Sequence, residues 1–119
     1  MNFGRYVAGY FTVVAFAFLT NANAVELDKL RECAERQAHS VGYHVAGVDR
    51  YDGSYFDVRL AQGPGSTESV RDVVEADEAR GGGMYDRLVS MRNAIKSCSG
   101  FYGRLDISDF DGAAIAKDR

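Results

Sequence analysis

Two cysteines, Cys33 and Cys98, bracket most of this chain, and a bond between them would constrain its fold more than any other sequence feature. Pairing depends on compartment, because disulfides persist in oxidising surroundings and are rare in the cytosol. The start of the chain points to an oxidising one. Asn2-Phe3-Gly4-Arg5 is a short, weakly positive start, Tyr6 to Leu19 is an uncharged apolar run, and Thr20-Asn21-Ala22-Asn23-Ala24 ends it with small and polar residues. That layout predicts a secretory signal peptide over 1–24, cleaved after the A-x-A site Ala22-Asn23-Ala24. A membrane anchor would need about 20 apolar residues, and this run stops sooner. The expected destination is the periplasm or the exterior of the cell. An even cysteine count there predicts a structural Cys33–Cys98 disulfide. Closing a loop of 65 positions stabilises by about 4 kcal/mol in the chain-entropy model.

Removing the leader leaves 95 residues, 25–119, enough for one small domain. Arg5 leaves with it, so 13 basic residues face 17 acidic ones, a net charge of −4. Such a chain has no electrostatic reason to prefer nucleic acid or an anionic membrane. The leader also takes four of the seven Phe and two of the seven Tyr. The remaining core is lean, and a covalent staple suits it.

Leu27, Leu30, Ala34 and Val41 recur at helical spacing, predicting an amphipathic helix over 26–40 that Gly42 ends. Tyr43 to Gln62 reads as a β-hairpin turning at Asp52-Gly53. A two-residue loop there opposes Tyr51 to Ser54, Asp49 to Phe56, Gly47 to Val58 and Val45 to Leu60. It puts Val45, Tyr51, Phe56, Val58 and Leu60 on a core face, and His44, Arg50, Tyr55, Asp57 and Arg59 on the other. A three-residue loop would set Asp49 against Asp57, a like-charge pair, so the two-residue register is preferred. The stretch 68–78 fits a helix or a strand; its β-branched Val70, Val73 and Val74 favour a third strand. After Gly81-Gly82-Gly83, a hinge or linker, Met84, Leu88, Met91, Ile95 and Cys98 form one helical stripe. A short strand over 101–107 and a frayed end from Gly112 complete the expectation. The fold class is α+β: helix, antiparallel hairpin or meander, helix, stapled by one disulfide.

Catalytic and ligand motifs are sparse. Only His39 and His44 can titrate near neutrality, and neither has a nucleophile at a telling spacing. Asp106, Asp109 and Asp111 before Gly112 invite a calcium loop, but its first position falls on Ile107 and its twelfth on Asp118. A solvated acidic turn is the better reading. No cofactor or metal is expected. Arg50, Tyr55 and Arg59 stand out instead, since Tyr beside Arg is the composition of binding hot spots.

Gly42-Tyr43-His44-Val45-Ala46-Gly47-Val48, then Asp52-Gly53-Ser54-Tyr55-Phe56-Asp57-Val58-Arg59-Leu60, then Val73-Val74-Glu75-Ala76-Asp77, together with the preceding helix, resemble a PepSY-type domain. The resemblance implies a small exported helix-and-meander module that binds or inhibits peptidases or serves as an extracytoplasmic interaction domain. It implies no particular binding residue. The expected function is therefore a non-enzymatic binding or inhibitor protein with a protein partner in the cell envelope, acting through Arg50, Tyr55 and Arg59. Two alternatives stand beside it: a small exported hydrolase of cell-wall polymer using Asp49, Asp57 or His44, and a structural part of an envelope or secretion assembly.

Overall fold

The computed structural model describes residues 27–118. The leader expected over 1–24 and its expected cleavage site lie outside them. Helix α1 runs over 27–40 and buries Leu30, Cys33, Ala34 and Ala38, one stripe of an otherwise charged helix. Gly42, at φ +88°, turns the chain out of it into strand β1, His44–Asp52. Strand β2, Tyr55–Ala61, returns antiparallel.

The hairpin departs from the expected register. Gly53-Ser54 form the turn, because the Asp52 carboxylate accepts from the Ser54 amide at 2.7 Å and its hydroxyl at 2.9 Å. Asp52 therefore closes the turn instead of occupying it. A bulge at Tyr51 then sets Arg50 opposite Phe56, Asp49 opposite Asp57, Val48 opposite Val58 and Gly47 opposite Arg59. A second bulge at Ala46 restores the expected Val45–Leu60 pair. The disfavoured Asp49–Asp57 pair is thus present. The Arg59 side chain reaches Asp49 at 2.7 Å and relieves it. As a consequence Arg50 lies on the Phe56 side, its guanidinium 5.8 Å from that ring's centre. Tyr51 lies against Tyr55, with ring centres 4.8 Å apart.

The expected third strand over 68–78 is instead helix α2, Val70–Ala79. β-Branched content pointed the wrong way because a distant group decides this segment. Ser69 caps the helix through the Asp72 amide. Asp109, from the next strand of the sheet, sits on the helix's first amides and accepts from Val70 at 3.0 Å and Arg71 at 3.2 Å. Val70 and Val74 then face the core. Helix α3, Met84–Ser99, follows the glycine linker. Asp77 accepts from the Met84 amide at its start, and a Cβ on Gly82 would collide with that carboxylate. Gly100, at φ +71°, ends it.

Strand β3, Arg104–Asp109, pairs parallel with β2, and strand β4, Ala114–Ala116, pairs antiparallel with β3. The carboxyl end from Gly112, expected to fray, is tied down by that strand and by Asp118. Its carboxylate accepts from Lys96 at 2.6 Å and from the Leu105 amide at 3.1 Å. The sheet order is β1-β2-β3-β4, a mixed sheet with helices, so the α+β class stands. Leu30, Val70, Val74, Leu88, Met91 and Ile95 from the helices meet Phe56, Val58, Leu60, Leu105 and Ile107 from the strands in one core. The Cys33–Cys98 disulfide joins α1 to α3 across it.

Candidate functional site

The other side of β2 and β3 carries no apolar core. Alternation along each strand leaves Tyr55, Asp57 and Arg59 beside Arg104, Asp106 and Ser108. With β1 added, three transverse rows form: Asp49–Asp57–Asp106, Gly47–Arg59–Ser108, and Asp52–Tyr55–Arg104. An acidic row is flanked by two rows that each carry one arginine.

Every long side chain that β2 and β3 place on this face is tethered. Arg104 grips Asp106 through two nitrogens, at 3.2 and 2.9 Å, and lies 4.3 Å from the centre of the Tyr55 ring. The Tyr55 hydroxyl donates to Asp106 at 2.7 Å. Arg59 donates to Asp49 at 2.7 Å and to the Phe110 carbonyl at 3.0 Å. Gly47 makes that reach possible, since a Cβ there would strike the Arg59 guanidinium. Ser108 donates to Asp57 at 2.7 Å.

Beneath these side chains Asp57 is 3% exposed and Asp106 only 2%, yet their ionisations diverge. Burial pushes Asp57 above the ordinary carboxylate range; the Ser108 bond opposes this, and the neighbouring Asp106 and Asp49 carboxylates add to it. Burial also works against the charge of Asp106. There the Arg104 guanidinium, the Tyr55 hydroxyl and the Asp118 amide outweigh it and hold the group below the ordinary range. The Asp106 carboxylate in turn pushes the Tyr55 phenol up to about 12. Neighbouring carboxyls pushed apart are the raw material of acid–base pairs. Both oxygens of Asp106, however, already accept from the chain's own donors.

Of the residues singled out in the sequence, Tyr55 and Arg59 share this face, while Arg50 lies across β1 from them. His39 and His44 come together, their rings edge-on at 5.8 Å. His44 stands opposite Ala61, at the far end of the hairpin from its turn and away from the Asp49–Asp57 pair. Asp106 and Asp109, expected in one acidic turn, point to opposite sides of β3. Asp109 is consumed by the start of α2, and hydrogen bonds from Ser69, Val70, Phe110 and Arg71 overcome its burial to lower its pKa. Among the described residues no three His, Cys, Asp or Glu side chains group to hold a metal ion. None of the described helices is long and apolar enough to cross a membrane.

Sequence reasoning missed Tyr51, Arg104, Asp106 and Ser108 as members of the face. The signal for the last three was present: Arg104, Asp106 and Ser108 alternate with Leu105 and Ile107, the pattern of a half-buried strand. Tyr51 was misplaced because no alternation rule foresees a bulge.

A separate feature, this one concave, lies at the hairpin end, on the helix side. It is a cleft of about 240 Å³ between the Gly53-Ser54 turn and the Gly100–Gly103 segment, floored by Leu30, Phe56 and Phe101. No protein-family model, curated protein or solved structure matches this chain.

Proposed function

We propose that this chain is an exported, non-enzymatic binding or inhibitor protein that docks a protein partner of the cell envelope on the open sheet face around Tyr55 and Arg59. One observation carries the reading. Tyr51, Tyr55, Arg59 and Arg104 lie together on a face that no helix covers among the described residues, and the last three are held by hydrogen bonds to their neighbours. Fixing long side chains before contact removes much of the ordering cost of binding, and Tyr and Arg are the residues that carry most interface energy. Export to the periplasm or the cell exterior is supported by the leader pattern and by the disulfide. The helix-and-hairpin resemblance to PepSY-type domains favours the same class of role.

The test uses the oxidised protein and a Tyr55→Ala/Arg59→Ala variant as parallel baits in envelope extract. A partner retained by the first should bind the second at least about 30-fold more weakly, the cost of a single hot spot. A partner that binds both alike defeats the assignment of this face. Arg50→Ala, on the opposite side of β1, leaves the same interaction unchanged.

The Asp57–Asp106 divergence favours one other reading, a wall-polymer hydrolase with Asp57 as its acid. Turnover of purified wall material that disappears in Asp57→Asn would replace the binding role with it.

A further inference from the structure

The cleft at the hairpin end has the chemistry of a site, and it does not rest on the sheet-face reading. Its floor is apolar and aromatic: Leu30 from α1, Phe56 from β2, and Phe101, whose ring stands edge-on to Phe56 at 4.9 Å. Its walls are glycines and small serines: Gly53, Gly100 and Gly103 carry no side chain to fill it, and Ser54 and Ser99 line it beside them. The close approach of two of these segments is built in. The Arg104 amide donates to the Ser54 carbonyl at 2.8 Å, and a Cβ on Gly103 would collide with that carbonyl and with the Phe101 ring. A volume of about 240 Å³ falls below the range of drug-sized ligand pockets, about 300–1,000 Å³. It suits one side chain.

Arg50 brings a positive charge to one side, near the Asp52 carboxylate that Ser54 engages. The Arg50 guanidinium lies over Phe56, 5.8 Å from the ring centre, and 3.9 Å from where a Cβ on Gly53 would stand. It is therefore placed at the rim by two residues that line the cleft. The other arginines near this end are spoken for, Arg104 by Asp106 and Arg59 by Asp49. Arg50 makes no ion pair among the described residues. Tyr102 also lines the cleft and is 94% exposed, an aromatic surface open to solvent at its edge.

An apolar slot for one side chain, a guanidinium at its rim and an aromatic platform at its edge match three groups in a fixed order. We propose that the cleft binds the carboxyl terminus of a peptide chain. The last residue's apolar side chain packs over Leu30 and against the paired Phe56 and Phe101 rings, its α-carboxylate meets Arg50, and the preceding residue lies on Tyr102. A free aromatic acid offers the first two groups and nothing for Tyr102, so the platform favours a chain end.

The experiment follows the amide signals of Gly53, Gly100 and Gly103 in NMR titrations of the oxidised protein at low salt. Three probes are compared: acetyl-Ala-Phe with a free carboxylate, its C-terminal carboxamide, and N-acetylphenylalanine. The free dipeptide should shift those signals, and the carboxamide should bind about fivefold more weakly, the worth of a partly exposed ion pair. Arg50→Gln should bring the two dipeptides to the same weak affinity. N-acetylphenylalanine should bind more weakly than the dipeptide acid, and Tyr102→Ala should remove that difference. Equal binding of acid and carboxamide to the wild-type protein overturns the role of Arg50. N-acetylphenylalanine binding as tightly as the dipeptide overturns the choice of a chain end. Glycine signals unmoved at millimolar dipeptide overturn the site. Tyr55→Ala/Arg59→Ala leaves all three titrations unchanged, so failure here and failure of the sheet-face reading are separate results.

Discussion

The two sides of β2 and β3 are made by the same 13 strand residues, yet they are stabilised by opposite means. On the helix side Phe56, Val58, Leu60, Leu105 and Ile107 are held by burial against three helices, and position follows from exclusion of water. On the other side Tyr55, Asp57, Arg59, Arg104, Asp106 and Ser108 are held by directed bonds to one another. The first arrangement contributes stability and, outside the cleft at the hairpin end, presents nothing. The second contributes little net stability, because partly exposed ion pairs are worth about 0–1 kcal/mol, but it fixes the orientation of every long side chain. Division of labour between faces is the physical content of the binding proposal.

Substitutions can break that contrast. Ile107→Ala, at the centre of the helix side, should cost about 2–5 kcal/mol in urea unfolding, the range for buried large-to-small changes. Asp109→Ala should come next, at about 2–3 kcal/mol. It strips the first amides of α2 of their acceptor, and loss of helical circular dichroism should accompany it. Asp109→Asn should recover part of this, since an amide oxygen still accepts. On the polar side Arg59→Ala should cost no more than about 1 kcal/mol of stability, although the same variant is expected to damage partner binding. A stability loss from Arg59→Ala as large as that from Ile107→Ala would dissolve the distinction between the faces.

The pH dependence sharpens it further, because the buried carboxyls carry opposite signs. The pKa of Asp57 is raised by folding, so its destabilising contribution is fully present above its raised value. It disappears as pH falls through that value. Asp106, Asp109 and Asp118 are lowered, so their stabilising contributions are present above the ordinary carboxylate range. These are lost as pH falls through their lowered values. Urea unfolding across the acid range should show stability first rising and then collapsing as pH drops. Asp57→Asn should stabilise the protein at neutral pH and remove the initial rise while leaving the collapse. A variant profile parallel to that of the wild type would show that Asp57 is not the group responsible.

Much of the frame was legible because it depends on neighbours in sequence. The stripes Leu27-Leu30-Ala34 and Leu88-Met91-Ile95 report helices through a period of 3.6 residues, and the two sulfurs fall beside those stripes, where the bridge joins them. The candidate site was half legible. Tyr55 and Arg59 share a face by simple alternation, but Arg50 does not join them, because the Tyr51 bulge reverses the parity of the strand. Arg104, Asp106 and Ser108 reach the face only through a parallel pairing that begins about fifty residues away along the chain.

By itself, then, the sequence determined the two stapled helices, the presence of the hairpin and the α+β class, all of which follow from local periodicity and cysteine count. Only the tertiary structure decided that 70–79 is a helix and that Asp49 stands against Asp57. It also decided that the end of the chain closes the sheet. In each case the deciding group is remote: Asp109 on the amides of α2, Arg59 folded over Gly47, and Lys96 holding Asp118. A local pattern can register the preference of a segment, but not the partner that overrules it.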